Sequence, residues 1–205
     1  ALEMYPNKIT VVATHQNDQF AISQEDELIN GLGPFGLPEA RINRAIEWLD
    51  PYELNLLDSY LNYDNNIAIS IDSNIENEIL QIKVRFVSRN ALNNHKLVVY
   101  LLEDGLIADQ SNYLNFDETS YFYNLGNPIV DYEHNDVLRH TFTNILGDQL
   151  GNIEPYEDVN NFYNLDLSTN NFQTENLRII AFITDSENLT INSQHAFVGE
   201  FQDFN

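Results

Sequence analysis

The hydrophobic and polar residues of this chain follow two patterns, and the change between them falls near residues 63–67, YDNNI. From there onward apolar and polar residues alternate, which is the pattern of a β-strand with one buried face. The clearest case is LQIKVRF at residues 80–86. Turn residues separate the segments, and no long helical pattern intervenes. Further strands are predicted at residues 67–72, 96–103, 137–146, 161–167, 177–185 and 195–201.

The first part of the chain instead has the pattern of an α/β segment. The apolar run within Lys8–His15 predicts a strand that is covered on both faces. The sequence SQEDELINGLG, residues 23–33, predicts a helix with acidic residues in its first turn. A second helix is predicted to begin at Asp50-Pro51, where Asp caps and Pro takes the first helical position. Between the helices, the turn GPFGLP precedes a second short strand at Glu39–Arg44.

This order of strand, helix, Gly/Pro-rich turn, proline and strand resembles the middle of a thioredoxin fold. The resemblance predicts a structural cis-proline at Pro38, with Lys8–His15 and Glu39–Arg44 as neighbouring strands. An ordinary turn proline is the alternative. The chain is thus predicted to be α+β: a partial thioredoxin-like α/β segment at residues 1–63, then an antiparallel immunoglobulin-like β-sandwich at residues 67–205.

A partial thioredoxin-like segment would leave a sheet edge and an apolar face uncovered. The first strand and helix of that fold are expected to lie upstream of Ala1 or to be missing. We therefore expect residues 1–62 either to pair with a second copy or to rest on the β-sandwich. Because the net charge is -23, a homodimer of this kind would strengthen as salt screens the repulsion.

Composition narrows the function classes. Apolar residues make up 43% of the chain, which is enough for a folded core. Asp and Glu number 32 against 9 Lys and Arg, so nucleic acid and anionic lipid are excluded as primary partners. Absence of cysteine excludes disulfides and thiolate sites, and no apolar stretch is long enough to be a transmembrane segment. Without a GxSxG, P-loop or GxGxxG motif, the sequence indicates no enzyme and no cofactor.

The segment YLNFDETSYFYN, residues 113–124, is the candidate binding site. Aromatic faces beside carboxylates and amides are what sugar rings require, so a glycan platform is one interpretation. Aromatic residues at this density also fill the space between two sheets, which is the other interpretation. The candidate binding residues are Tyr113, Phe116, Tyr121 and Tyr123.

The sequence DYEHND, residues 131–136, gathers three carboxylates and an imidazole before a predicted strand. Its spacing matches neither an EF-hand loop nor an HExxH zinc helix, so we expect no metal. Loop ordering is the expected role, with Arg139 neutralising a carboxylate. His15 ends the first predicted strand, where a ligand crevice or a hydrogen-bonded structural histidine are both compatible with the pattern.

Four runs of this chain resemble outer membrane protein 28-related lipoproteins of Bacteroidetes: LVVYLLEDGLIADQ, YEHNDVLRHTFTNILGDQLG, NLRIIAFITD and NSQHAFVG. The similarity covers roughly residues 5–200, and HNDVLRHTFTNILGD is its most specific part. The resemblance implies a thioredoxin-like domain followed by a β-sandwich, exported and lipid-anchored at the outer membrane, without an established catalytic role. Members of the family often carry a CxxC-type motif in the first domain, here expected upstream of Ala1.

Together these observations predict a non-enzymatic, outer-membrane-associated interaction module whose partner is a protein or glycan at the cell surface. Two alternatives stay open. One is a thiol–disulfide oxidoreductase whose cysteines lie upstream of this chain, and the other is a glycan-binding surface protein.

Overall fold

A computed structural model describes residues 1–5, 8–33, 39–48, 53–61 and 65–205. Helix α1 spans Glu25–Leu32, and helix α2, Asp58–Leu61, follows a 3-10 turn at Leu54–Leu57; a second 3-10 turn spans Thr174–Asn176. The strands are β1 (Arg41–Ile42), β2 (Ile46–Glu47), β3 (Ile67–Glu76), β4 (Ile79–Ser88), β5 (Lys96–Glu103), β6 (Leu106–Gln110), β7 (Ile129–His134), β8 (Val137–Thr141), β9 (Asp148–Gln149), β10 (Val159–Asp166), β11 (Leu177–Thr184), β12 (Thr190–Phe197) and β13 (Phe201–Gln202). No helix among the described residues is long and apolar enough to cross a membrane.

Two antiparallel sheets form the centre of the fold. One has the strand order β10-β4-β3-β13, and the other has β12-β11-β5-β8 with β9 paired to β5. Their facing side chains make one shared core, in which Ile71, Phe86, Leu101 and Ile179 are fully buried. The prediction of antiparallel β-structure from residue 67 onward is therefore confirmed, whereas its immunoglobulin-like type stays a prediction.

The five-stranded sheet is buried on both faces. Its outer face carries Tyr100 and Phe182, which pack in a second cluster with Leu28 of helix α1. Val12 and Ile22 of the N-terminal segment pack against the same cluster. The segment thus rests on the sheet, which was one of the two arrangements expected for it. This cover explains why β5 (KLVVYLLE) and β11 (LRIIAFIT) lack the alternation of a one-sided strand.

The predicted pairing of Lys8–His15 with Glu39–Arg44 is wrong. Ala13 makes a single parallel bridge to Val137 of β8, with its N–H 2.8 Å from the carbonyl oxygen of Asp136. Strands β1 and β2 instead pair with each other. The apolar run near the N-terminus therefore packs on the five-stranded sheet and hydrogen-bonds to its edge at strand β8.

Several sequence predictions fall outside the described residues or stay untested. The peptide bond before Pro38 and the helix start at Asp50-Pro51 lie outside the described residues. The cis peptide bond found among the described residues joins Asn127 and Pro128. The division into a thioredoxin-like segment at residues 1–63 and a domain at residues 67–205 stays a prediction.

Asparagine supplies many of the tight turns between strands. Of the eleven non-glycine residues described with positive φ, six are asparagine. Asn77 and Glu78 connect β3 to β4 as a two-residue turn with φ of 50° and 63°, which is the turn type that matches strand twist. Asparagine tolerates this backbone region better than most residues.

Candidate binding site

The candidate site lies on a hairpin that extends beyond the two main sheets. Among the described residues, strands β6 and β7 pair only with each other, as a separate two-stranded sheet between β5 and β8 in sequence. At its base, the amide of Gly105 donates to Asn135 Oδ1 at 2.8 Å, and the amide of Asp136 donates to Asp104 Oδ1 at 2.6 Å. Arg178 Nη2 donates to the carboxylates of both Asp104 and Asp136. This clamp fixes the direction in which the hairpin leaves the sheet.

The loop at residues 111–128, hereafter the aromatic loop, exposes the four aromatic residues singled out by the sequence. The exposed fractions are 71% for Tyr113, 86% for Phe116, 81% for Tyr121 and 43% for Tyr123. The interpretation that these four side chains fill the space between the sheets is therefore wrong. Phe122 is the partly buried member of the run, and its ring packs 6.5 Å from that of Tyr132.

Buried and half-buried amides hold the aromatic loop in one conformation. Asn112 is 5% exposed, and its Nδ2 donates to the carbonyl oxygens of Phe122 and Gly126, both at 2.9 Å. Its Oδ1 accepts from the amide of Leu114 at 3.1 Å. Asn115 Oδ1 accepts from the amide of Gly126 at 2.8 Å. Because these bonds join both ends of the loop, its aromatic side chains are presented on an ordered backbone.

The hairpin that carries the exposed rings is rich in acidic residues. Residues 104–136 contain seven Asp and Glu and no Lys or Arg. Hydrogen bonds from Thr119 hold the pKa of Asp117 below its usual range, so this carboxylate stays ionised at neutral pH. The exposed carboxylates of the hairpin are Asp109, Asp117, Glu118, Asp131 and Glu133.

A cluster of rings attaches the base of the hairpin to the N-terminal segment. The His134 ring lies edge-to-face 5.1 Å from His15, 5.2 Å from Phe20 and 5.0 Å from Tyr132. His15 Nδ1 and Asp18 Oδ2 are 2.6 Å apart. Burial, followed by the neighbouring His15, lowers the pKa of His134. The imidazole is therefore neutral at physiological pH, as its apolar contacts require.

A cavity of about 350 Å³ opens beside these rings, lined by Asp18, Gln19, Phe20, Ala108, Asp109 and His134. The carboxylates that the sequence groups in residues 131–136 have separate partners. Asp136 pairs with Arg178, while Glu133 Oε1 accepts from Asn135 Nδ2 at 3.1 Å. Within the described ranges, no three Asp, Glu or His side chains are placed to hold a metal ion.

Arg139 pairs with the buried Glu103 at 3.1 Å, and not with a carboxylate of residues 131–136. Glu103 Oε1 also accepts from the amide of Gln173 at 2.8 Å. The expected neutralisation of a carboxylate of residues 131–136 by Arg139 is therefore wrong. Arg178, which the sequence did not single out, pairs with Asp136 instead, while Asn135 bonds to backbone as expected.

Sequence reasoning missed strands β6 and β7, which are short and interrupted by a bulge. It also missed three exposed apolar side chains of the hairpin: Ile107, Leu125 and Val130 are 56%, 50% and 67% exposed. The sequence does carry a signal for an ordered loop. Asn112 and Asn127 flank the aromatic run, Asn115 lies within it, and Asn bonds readily to nearby backbone.

Comparison with known proteins identifies the family to which the chain is similar. The model of outer membrane protein Omp28 matches residues 25–202. Among solved structures, HBP35 of Porphyromonas gingivalis is similar, with a TM-score of 0.65 and 12% sequence identity. That similarity covers 91% of this chain but 62% of the other, so this chain spans less than two thirds of HBP35, and the likeness is one of fold.

No curated protein matches the chain. The family match nevertheless extends from helix α1 to strand β13 and so includes both sheets and the hairpin. It places the protein at the outer membrane or in the periplasm, and the chain belongs to the outer membrane protein Omp28 family.

Proposed function

We propose that this protein is a non-enzymatic binding module of the outer membrane and that the aromatic loop contacts its partner. The observation that carries this proposal is the exposure of Tyr113, Phe116 and Tyr121 on a backbone fixed by buried Asn112. Aromatic side chains are large contact surfaces that dominate the affinity of interfaces. A fixed backbone lowers the entropy that binding must overcome.

The buried charges of the fold support a binding role over a catalytic one. Glu103, Asp136 and Arg178 are each buried and engaged in ion pairs at the base of the hairpin. We take the role of such pairs to be structural: they hold the base of the hairpin in place. We further propose a lipid-anchored precursor with an immunoglobulin-like sandwich. A redox function would need a Cys-x-x-Cys pair upstream of Ala1, which the precursor sequence would reveal.

A binding isotherm on isolated outer-membrane fragments tests the proposal. The double variant Phe116→Ala/Tyr121→Ala is expected to bind at least about tenfold more weakly, since hot-spot aromatics contribute roughly 1–2 kcal/mol each. The matched control is Tyr156→Ala/Phe162→Ala, whose side chains are 71% and 69% exposed outside the loop. Equal binding by the loop variant and the control would contradict the proposal.

Glycan binding is the second candidate function, because exposed aromatic faces lie beside the carboxylates of Asp117 and Glu118. A glycan array probed with wild type and Tyr121→Ala tests it. The expected signal is one that the variant loses, and a silent array for both proteins would remove this candidate.

A further inference from the structure

We infer that the partner of the aromatic loop is a basic protein segment, in which Lys or Arg alternates with apolar side chains. This inference rests on the proposed function and adds the chemistry of the ligand. It follows from three features of the hairpin: uncompensated negative charge, exposed aromatic faces without cations, and a fixed backbone.

The carboxylates of the hairpin accept hydrogen bonds from neutral groups. Asp109 Oδ1 accepts from the amide of Asp131 at 3.2 Å, and Asp117 Oδ1 accepts from the amide of Thr119 at 2.9 Å. Glu133 bonds to the side-chain amide of Asn135. Among the described residues, Asp104 and Asp136 pair with Arg178, but these three carboxylates are in no ion pair, so their bonds fix them without neutralising them. A cationic partner is the ligand that relieves the resulting repulsion.

Elsewhere the chain shows which groups its aromatic faces attract. Arg139 lies 5.7 Å from the ring centre of Phe20, and Arg85 lies 5.1 Å from that of Phe204. Lys83 lies 5.6 Å from the ring centre of Phe162. The rings of the aromatic loop have no such neighbour among the described residues. An incoming Arg or Lys would therefore gain a cation–π contact and a carboxylate together.

The same features disfavour the other partners. The hydroxyl groups of a neutral glycan bond to carboxylates but leave their charge in place. Anionic lipid headgroups are repelled by it. The apolar side chains Ile107, Leu125 and Val130 are exposed on the same hairpin and give a peptide's own apolar residues a contact surface.

Selection from a random dodecapeptide display library against the immobilised whole chain tests the inference. Peptides enriched on wild type, but not on Phe116→Ala/Tyr121→Ala, are expected to contain Lys or Arg beside aromatic or aliphatic residues. The best of them is then synthesised, and its Kd is measured at low and high salt. Affinity is expected to fall as salt rises.

Three variants separate the contributions to that affinity. Phe116→Ala/Tyr121→Ala should weaken binding at least about tenfold. Glu118→Gln/Asp131→Asn should weaken it about three- to tenfold and reduce its salt dependence. The control Tyr156→Ala/Phe162→Ala should bind as wild type does. Far-ultraviolet circular dichroism of each variant confirms that the fold is retained.

The outcomes distinguish this inference from the proposed function. Loop-dependent peptides without enrichment in Lys or Arg, or with salt-independent affinity, would overturn the basic partner and leave the binding loop intact. A loop-dependent glycan signal without selected peptides would do the same. Loss of loop dependence on outer-membrane fragments, peptides and glycans alike would overturn both.

Discussion

At the scale of single residues, a few side chains fix the geometry of the hairpin base. Arg178 is 8% exposed and bonds to Asp104 and Asp136, which lie in the two connections between the hairpin and the five-stranded sheet. Removing one partner of such a pair is costly, because the other is left buried and uncompensated.

Replacement of Arg178 by Met should therefore destabilise the protein by about 3 kcal/mol, measured by urea unfolding. Arg85 provides the control, since its bond to Asp158 lies on the surface. Arg85→Met should cause a much smaller loss, because solvent screens exposed pairs. Equal losses for the two variants would show that the Arg178 clamp is not a buried pair.

Alanine substitutions at two glycines distinguish the effect of backbone strain on stability from that of packing. Both Gly147 and Gly151 have positive φ, at 101° and 70°. A Cβ at Gly147 would lie 2.9 Å from Lys96 Cβ and Val98 Cγ2, whereas one at Gly151 would meet nothing within 4 Å. Replacement by alanine should destabilise the protein by about 1 kcal/mol at each position, because a residue with a Cβ is disfavoured at positive φ. Gly147→Ala should cost about 1–3 kcal/mol more through overpacking. Equal unfolding midpoints for the two variants would contradict the close packing of Gly147 against Lys96 and Val98.

At the scale of elements, the five-stranded sheet depends on the N-terminal segment for its outer cover. Leu28 of α1 is 7% exposed and packs on that face, while Leu56 of the following turn is 43% exposed. Leu28→Ala should destabilise the protein by about 2–4 kcal/mol, and Leu56→Ala by less than about 0.5 kcal/mol. Thermal unfolding measures both. A Leu28→Ala loss no larger than that of Leu56→Ala would mean that the segment does not stabilise the sheet.

Sequence pattern predicted the strands well where their own residues determine them. Strand β5 was predicted at its observed bounds, and β4 was recognised because its alternation reflects one core face and one solvent face. The apolar run of Lys8–His15 predicts a strand, but the structure has a single β-bridge there, at Ala13, and packs Val12 on the five-stranded sheet. Periodicity alone does not distinguish these two causes.

The candidate site was predictable in its residue types and not in its exposure. Tyr113, Phe116 and Tyr121 were selected for their ring faces, but whether rings fill a core or face solvent depends on the path of the loop. That path is set by long-range bonds such as Asn112 Nδ2 to the carbonyl oxygen of Gly126. The pairing of Arg178 with Asp136, 42 residues apart, is likewise a property of the fold.

At the scale of the whole molecule, buried and partly buried histidines couple stability to pH. Burial lowers the pKa values of His134, His140 and His195. The unfolded chain therefore takes up protons below about pH 6.5, while the folded chain resists them until lower pH. The stability due to these groups is full above about pH 6.5 and is lost as pH falls through the folded pKa values.

Urea midpoints should thus decrease between about pH 7 and pH 5, before the carboxylates titrate near pH 4. The variant His140→Gln should show a weaker decrease than wild type, since it lacks one of the three groups. Unchanged midpoints across this range would mean that the histidines are solvated in the folded protein.

The aromatic loop is ordered while its rings face solvent, and hydrogen exchange tests this combination most directly. In wild type, the amides of Leu114, Asn124 and Gly126 should exchange slowly, because each donates within the loop. In Asn112→Ala this protection should be lost, with little change in the strands of the two sheets. Exchange at the rate of an unfolded peptide across residues 111–128 of wild type would contradict the claim.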